Sequence, residues 1–138
     1  MRDLAIGILF WLFAAKVVAC SCLLLPYGDN AEEIASFKYE NSDVVFVGRV
    51  DSILEIDEHV SEVILTVLQP FKGANEKNTT MRQSTCPSPL IKHMAEVLIY
   101  ADLNSDGVLQ SPKTCWESKV GAKEAEQEIG LLNAIRNI

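Results

Sequence analysis

EVLIYADLNSDGVLQ, residues 96–110, decides how this chain folds. Two runs of aliphatic and β-branched residues flank Asn104-Ser105-Asp106-Gly107. A short polar turn ending in Asp-Gly between such runs is the local signature of an antiparallel hairpin. EVLIYADL (96–103) and GVLQSPKTC (107–115) are therefore read as consecutive strands. Upstream, DVVFVGRV (43–50) is a strand with Gly48 at a bend or bulge. SEVILTVLQPFKG (61–73) is a second, stopped by Pro70 and turned at Gly73, and KNTTMRQSTC (77–86) is a polar third. DSILEIDE (51–58) reads as the short connection between the first two strands.

Helices are expected at both flanks. NAEEIASFKYENS (30–42) opens on Asn30 as N-cap, with Glu33 placed to complete a capping box. Ala31, Ile34 and Lys38 share one of its faces, with Phe37 beside them. In GAKEAEQEIGLLNAIRNI (121–138), Ala122, Ala125, Ile129, Leu132 and Ile135 recur at helical spacing, and the glutamates of 124–128 read as a solvated face. About five strands and two helices point to a mostly β fold, a small closed or nearly closed barrel.

The chain has 138 residues, enough for one domain with a modest core. Its net charge of −7 argues against nucleic acid as a partner, because that binding depends on Lys and Arg neutralising phosphates. Residues 4–15 (LAIGILFWLFAA) are continuously apolar behind Arg2, and Val17 and Ala19 occupy the −3 and −1 positions of a small-residue cleavage site. This is the layout of a secretory signal peptide over 1–19, too short to span a bilayer comfortably. A retained N-terminal anchor is the alternative. The expected product is secreted, or periplasmic or lipid-anchored if bacterial, with Cys20 as its first residue.

Four cysteines outside the cytosol are read most simply as disulfides. Val17-Val18-Ala19-Cys20 also resembles the motif at which bacterial lipoproteins are cut and acylated. A thioether at Cys20 would then orphan one of the remaining cysteines. Cys20-Ser21-Cys22 departs from the Cys-x-x-Cys spacing and helix N-terminus that activate catalytic dithiols, so a thiol oxidoreductase is a weak reading. A Cys20–Cys22 bridge would close a strained small ring. Two long-range pairings with Cys86 and Cys115 remain, whose loops contribute on the order of 4 kcal/mol each in the chain-entropy model.

Cys-x-Cys at the mature start, then SDVVFVGRV, LQPFKG, QSTC and EVLIYADLNSDGVLQ ahead of Cys115, together resemble the N-terminal, netrin-like domain of the tissue inhibitors of metalloproteinases. The resemblance covers nearly all of residues 20–115. It implies a five-stranded OB-fold-type barrel over 20–118, with 119–138 as an appended amphipathic helix, and the bridges Cys20–Cys86 and Cys22–Cys115. It further implies a non-enzymatic, monomeric inhibitor that carries no cofactor of its own; the zinc belongs to the target metalloproteinase. Cys20 would chelate that zinc, Ser21 would enter the pocket beside it, and Cys22 and Leu23 would extend the contact. Ser84 and Thr85 would form an adjoining ridge. Vertebrate members carry six cysteines in this domain and a further cysteine-rich one, whereas here there are four, followed by a helix. Netrin-like domains also serve as plain binding modules.

The chemistry of such a site is simple. A catalytic zinc keeps one coordination position open, and a neutral amine is a good donor to it. An α-amine titrates near pH 8, so the metal readily takes its deprotonated form near neutrality. Amine and carbonyl of one residue would form a five-membered chelate and displace the hydrolytic water.

Other signals are weaker. Asp102, Asn104, Asp106 and Gly107 match the first half of an EF-hand loop, but Lys113 stands where the bidentate Glu belongs, so the hairpin explains them better. His59 and His93 lack partners at metal-ligand spacing, and no intrinsic metal site is expected. Asn78-Thr79-Thr80 fits the N-glycosylation acceptor pattern.

Overall fold

The computed structural model describes residues 30–84, 91, 95–112 and 119–138. Helix α1 (Ala31–Glu40) precedes strands β1 (Val44–Glu55), β2 (Val60–Lys72), β3 (Asn78–Ser84), β4 (Glu96–Leu103), β5 (Leu109–Gln110) and β6 (Lys119–Gly121), and helix α2 (Glu126–Arg136) follows. The strands are ordered β1-β2-β3-β5-β4, and a direct β1–β4 pairing closes the ring. Every pairing in it is antiparallel except β3–β5. This is a closed five-stranded barrel of the OB-fold type, with one helix near each end of the chain.

β1 is the strand on which the rest is built. Val44–Arg49 pair with β4 on one side, while Val45–Glu55 pair with β2 on the other. Three register shifts bend it around the ring, one of them between Val47 and Gly48, as the glycine suggested. A Cβ on Gly48 would lie 2.8 Å from the Phe46 ring, so the ring packs across the bare backbone there. The turn at Gly73 has φ 66°, and a Cβ there would lie 2.5 Å from the Asp43 carbonyl oxygen. Only glycine fits that close approach.

The apolar runs in β1 and β4 lack the polar alternation of a half-solvated strand because both of their faces are covered. Val44, Phe46, Val50, Val97, Ile99 and Ala101 fill the barrel with Leu65, Met81 and Leu109. Val45, Val47, Leu98 and Tyr100 face outward into a second core closed by Ala125 and Leu132 of the α2 segment, with Ile129 and Ile135 packed against it. Burying about twenty apolar side chains on two fronts is how the described strands and helices reach a stable core.

Several boundaries differ from the sequence reading, each for a tertiary reason. β1 runs on to Glu55, so the β1–β2 connection is only residues 56–59. Asp57 closes it by accepting the His59 and Val60 amides at 2.7 and 2.9 Å. Pro70 does not stop β2. It sits opposite Phe46 beside a register shift, where a missing N–H costs little. The carbonyls around it are used by the helices: Pro70 O accepts from Arg136 and Phe71 O from Tyr39.

In α1 the cap is the expected Asn30, but its side chain accepts from the Glu32 amide at 2.9 Å. The face it buries is Ala35 and Lys38, whereas Ala31 is exposed. α2 starts at Glu126 rather than near 121, because Lys119–Gly121 pair with Ile99–Val97 as β6 on the edge of β4. The NSDG hairpin is as read: Asn104 and Val108 bond across the turn, Gly107 has φ 76°, and β4 pairs with β5 through Leu103 and Leu109.

Candidate functional site

The strand directions give the barrel two ends. At the upper rim β1 ends, β2 begins and β3 ends; at the lower mouth β2 turns into β3 and β4 into β5. Of the residues assigned to an inhibitory ridge, Ser84 is described. It closes β3 at the upper rim, half-buried and opposite Val60. Cys20, Ser21, Cys22, Leu23, Thr85, Cys86 and Cys115 lie outside the described residues, as do His93 and Lys113.

The rim beneath Ser84 is anchored by polar groups turned inward. β3 alternates, so Met81 and Gln83 are buried while Thr80 and Arg82 are exposed. Gln83, only 1% exposed, accepts the Ile91 amide on its Oε1 at 2.8 Å. Ile91 is itself part of the barrel core, so this bond ties the two ends of the chain segment that follows Ser84 to one level of the barrel. Gln83 Nε2 has no hydrogen-bond partner among the described residues.

Lys119 is the unusual cation. It enters β6 beside Ile99, half-buried, with its Nζ 3.3 Å from Ser111 Oγ. Desolvation depresses its ammonium to about 8 from the ordinary 10.5. A depressed lysine means that the folded chain binds fewer protons than the unfolded one between those values. Stability therefore rises as pH climbs from about 8 to 10.5. Lys119→Met is expected to flatten that rise and to raise stability at neutral pH, measured by denaturation at a series of pH values. An unchanged slope in the variant contradicts the assignment.

On the outer face Asp51 accepts Thr66 Oγ1 at 2.6 Å and Arg49 Nε at 3.1 Å. The Thr66 hydroxyl first, and Arg49 second, hold its carboxyl below the usual range. A different polar cluster, opposite in character, joins the two helices. Lys38, 7% exposed, places Nζ 3.0 Å from Glu128 Oε1 and 5.2 Å from the centre of the Tyr100 ring. Tyr100 donates its hydroxyl to the same Glu128 oxygen. Burial, and then the Glu128 carboxylate, push the Tyr100 phenol up, so it remains a donor. Glu128 thus departs from the solvated face expected of 124–128. Lys38 on the apolar side of α1 was the visible sign that an acid had to meet it.

The hairpin residues do turn work. Asn104 Oδ1 accepts from the Asp106 and Val108 amides, both at 2.9 Å. His59 is exposed in the β1–β2 turn. No group of three or more His, Cys, Asp or Glu side chains poised to hold a metal occurs among the described residues, and no described helix is long and apolar enough to cross a membrane.

No protein-family model and no curated protein matches this sequence.

Proposed function

We propose that this protein is a secreted inhibitor of zinc metalloproteinases that chelates the target's catalytic zinc through the free amine and carbonyl of mature N-terminal Cys20. The observation that carries the reading is Cys20-Ser21-Cys22 directly behind a small-residue cleavage site, on a chain whose strands form an OB-fold-type barrel. A five-stranded barrel of this type is what the resemblance implies, and Ser84 ends β3 two residues ahead of Cys86. Bridges from Cys20 and Cys22 to Cys86 and Cys115 would hold the chelating terminus in one posture and reduce the ordering cost of binding. Ser21, Leu23, Ser84 and Thr85 then supply the flanking contacts.

The test compares protein beginning at Cys20 with a version bearing one extra N-terminal Ala, against a panel of zinc proteases. Extension converts the amine into an amide and displaces the chelate, so inhibition should fall by at least tenfold, about 1.4 kcal/mol. Equal potency of the two, or no inhibition by either, refutes chelation.

Val17-Val18-Ala19-Cys20 favours a second reading, a lipid-anchored or free netrin-like binding module without inhibitory action. Intact mass of the exported protein separates the two, since an acylated Cys20 carries the added mass of its lipid chains.

A further inference from the structure

β1 outruns its partner β4. The two pair over Val44–Arg49, and the Val50 amide donates to Ala95 O at 2.9 Å. Beyond that point residues 52–55 pair, among the described residues, with β2 alone. The Ile56 amide donates to Val60 O across the hairpin. Antiparallel bonding alternates, so Ser52 and Leu54 also face β2, while Ile53 and Glu55 turn their N–H and C=O groups to the open side. On the outer face of this hairpin Leu54, Ile56 and Ile64 are 64%, 50% and 45% exposed. Ile64 stands opposite Ser52 and so diagonal to Leu54, which makes the three one patch. Exposed apolar groups gathered beside an unpaired strand edge mark a place for another chain. The hairpin is also acidic: Asp51, Glu55, Asp57, Glu58 and Glu62 fall within residues 50–71, which contain no lysine or arginine. Arg49 pairs with Asp51 and Arg82 with Glu62, whereas Glu55 and Glu58 have no ion pair among the described residues.

We propose that this edge of β1 takes up an extended peptide of alternating apolar and basic residues, from a partner protein, as an added strand. The apolar side chains of the peptide lie beside Leu54 and Ile56 on the outer face, and its lysines or arginines beside Glu55 on the other. Strand addition draws affinity from main-chain hydrogen bonds and specificity from alternate side chains. Charge fixes the occupant. A second copy of this chain would set one acidic hairpin against another, and like charges along an edge oppose self-pairing. A basic segment meets no such repulsion, and the net charge of −7 attracts it. The edge does not involve Cys20, so it stands or falls apart from the inhibitory reading.

The test titrates the full exported chain, labelled with ¹⁵N, with three end-capped heptapeptides. One alternates valine and lysine, one alternates valine and glutamate, and the third is the valine–lysine peptide N-methylated throughout, which leaves it no amide to donate. Saturable amide shifts over Ile53, Leu54 and Glu55 are expected with the first. The glutamate peptide should bind about tenfold more weakly or worse, because like charges then face each other, and the N-methylated peptide should not bind. Leu54 and Glu55 are exposed, so Leu54→Ser and Glu55→Lys keep the fold. Each should weaken the valine–lysine peptide about fivefold, the scale of one contact that stays open to water. Absence of saturable shifts at this edge, equal binding of the glutamate or N-methylated peptide, or an affinity unmoved by both substitutions each overturns the proposal.

Discussion

Replacing Glu128 with leucine is expected to destabilise the protein by about 3–5 kcal/mol, because it strands a buried ammonium. The Lys38 side chain is 8% exposed and that of Glu128 23%. Without the carboxylate, Lys38 keeps only the face of the Tyr100 ring, and the Tyr100 hydroxyl loses its acceptor. The reverse change, Lys38→Met, should cost less, about 1–3 kcal/mol, because Glu128 is more accessible to water and retains Tyr100 as a donor. Lys38→Met combined with Glu128→Leu should be less harmful than Glu128→Leu alone, since no uncompensated charge remains. Urea denaturation of the four proteins reads the whole cycle. If Glu128→Leu proves milder than Lys38→Met, the stranded-ammonium account fails.

Phe46→Ala should cost about 3–5 kcal/mol as well, a large part of the 5–15 kcal/mol that holds a typical domain folded. Phe46 has no exposed surface and sits on the strand shared by both halves of the ring. Its ring packs over Gly48, which has no side chain to fill the void from that side. Phe46→Leu, which keeps much of the volume, should lose clearly less. The check is the shift in urea midpoint at an unchanged denaturant slope. A loss under about 1 kcal/mol would show that the lower barrel collapses around the deletion.

The two predictions differ in how visible they were in the sequence. Phe46 could be placed in a core from VVFV alone, because β-branched and aromatic residues in a short run demand burial. The partnership of Lys38 and Glu128 could not be, since it joins residues ninety positions apart. Half of it was legible: a lysine in line with Ile34 on α1 is out of place unless an acid meets it. Which acid depends on how α2 crosses α1. The glutamates of 124–128 look alike in sequence, yet Glu124 and Glu126 are exposed and Glu128 alone of the three turns inward.

The cysteine junction is the converse. Cys20, Cys22, Cys86 and Cys115 carry the functional reading through the family resemblance of their motifs and the chemistry of a freed amine, and the described barrel contributes Ser84 and the strands around it.

Sequence by itself determined the local elements: the hairpin at NSDG, the Asn30 cap, the glycine turn at Gly73 and the apolar stripe of α2. These follow from backbone allowance and side-chain periodicity, which act over a few residues. Tertiary structure decided where strands end. β1 continues through polar Asp51 and Ser52 because β2 supplies ladder partners, and β2 passes Pro70 because a bulge and two helices satisfy its backbone. It also created β6, whose three residues are a strand only because β4 presents an open edge. Hydrogen bonds between distant segments outweigh local propensity wherever the alternative is a buried, unpaired backbone.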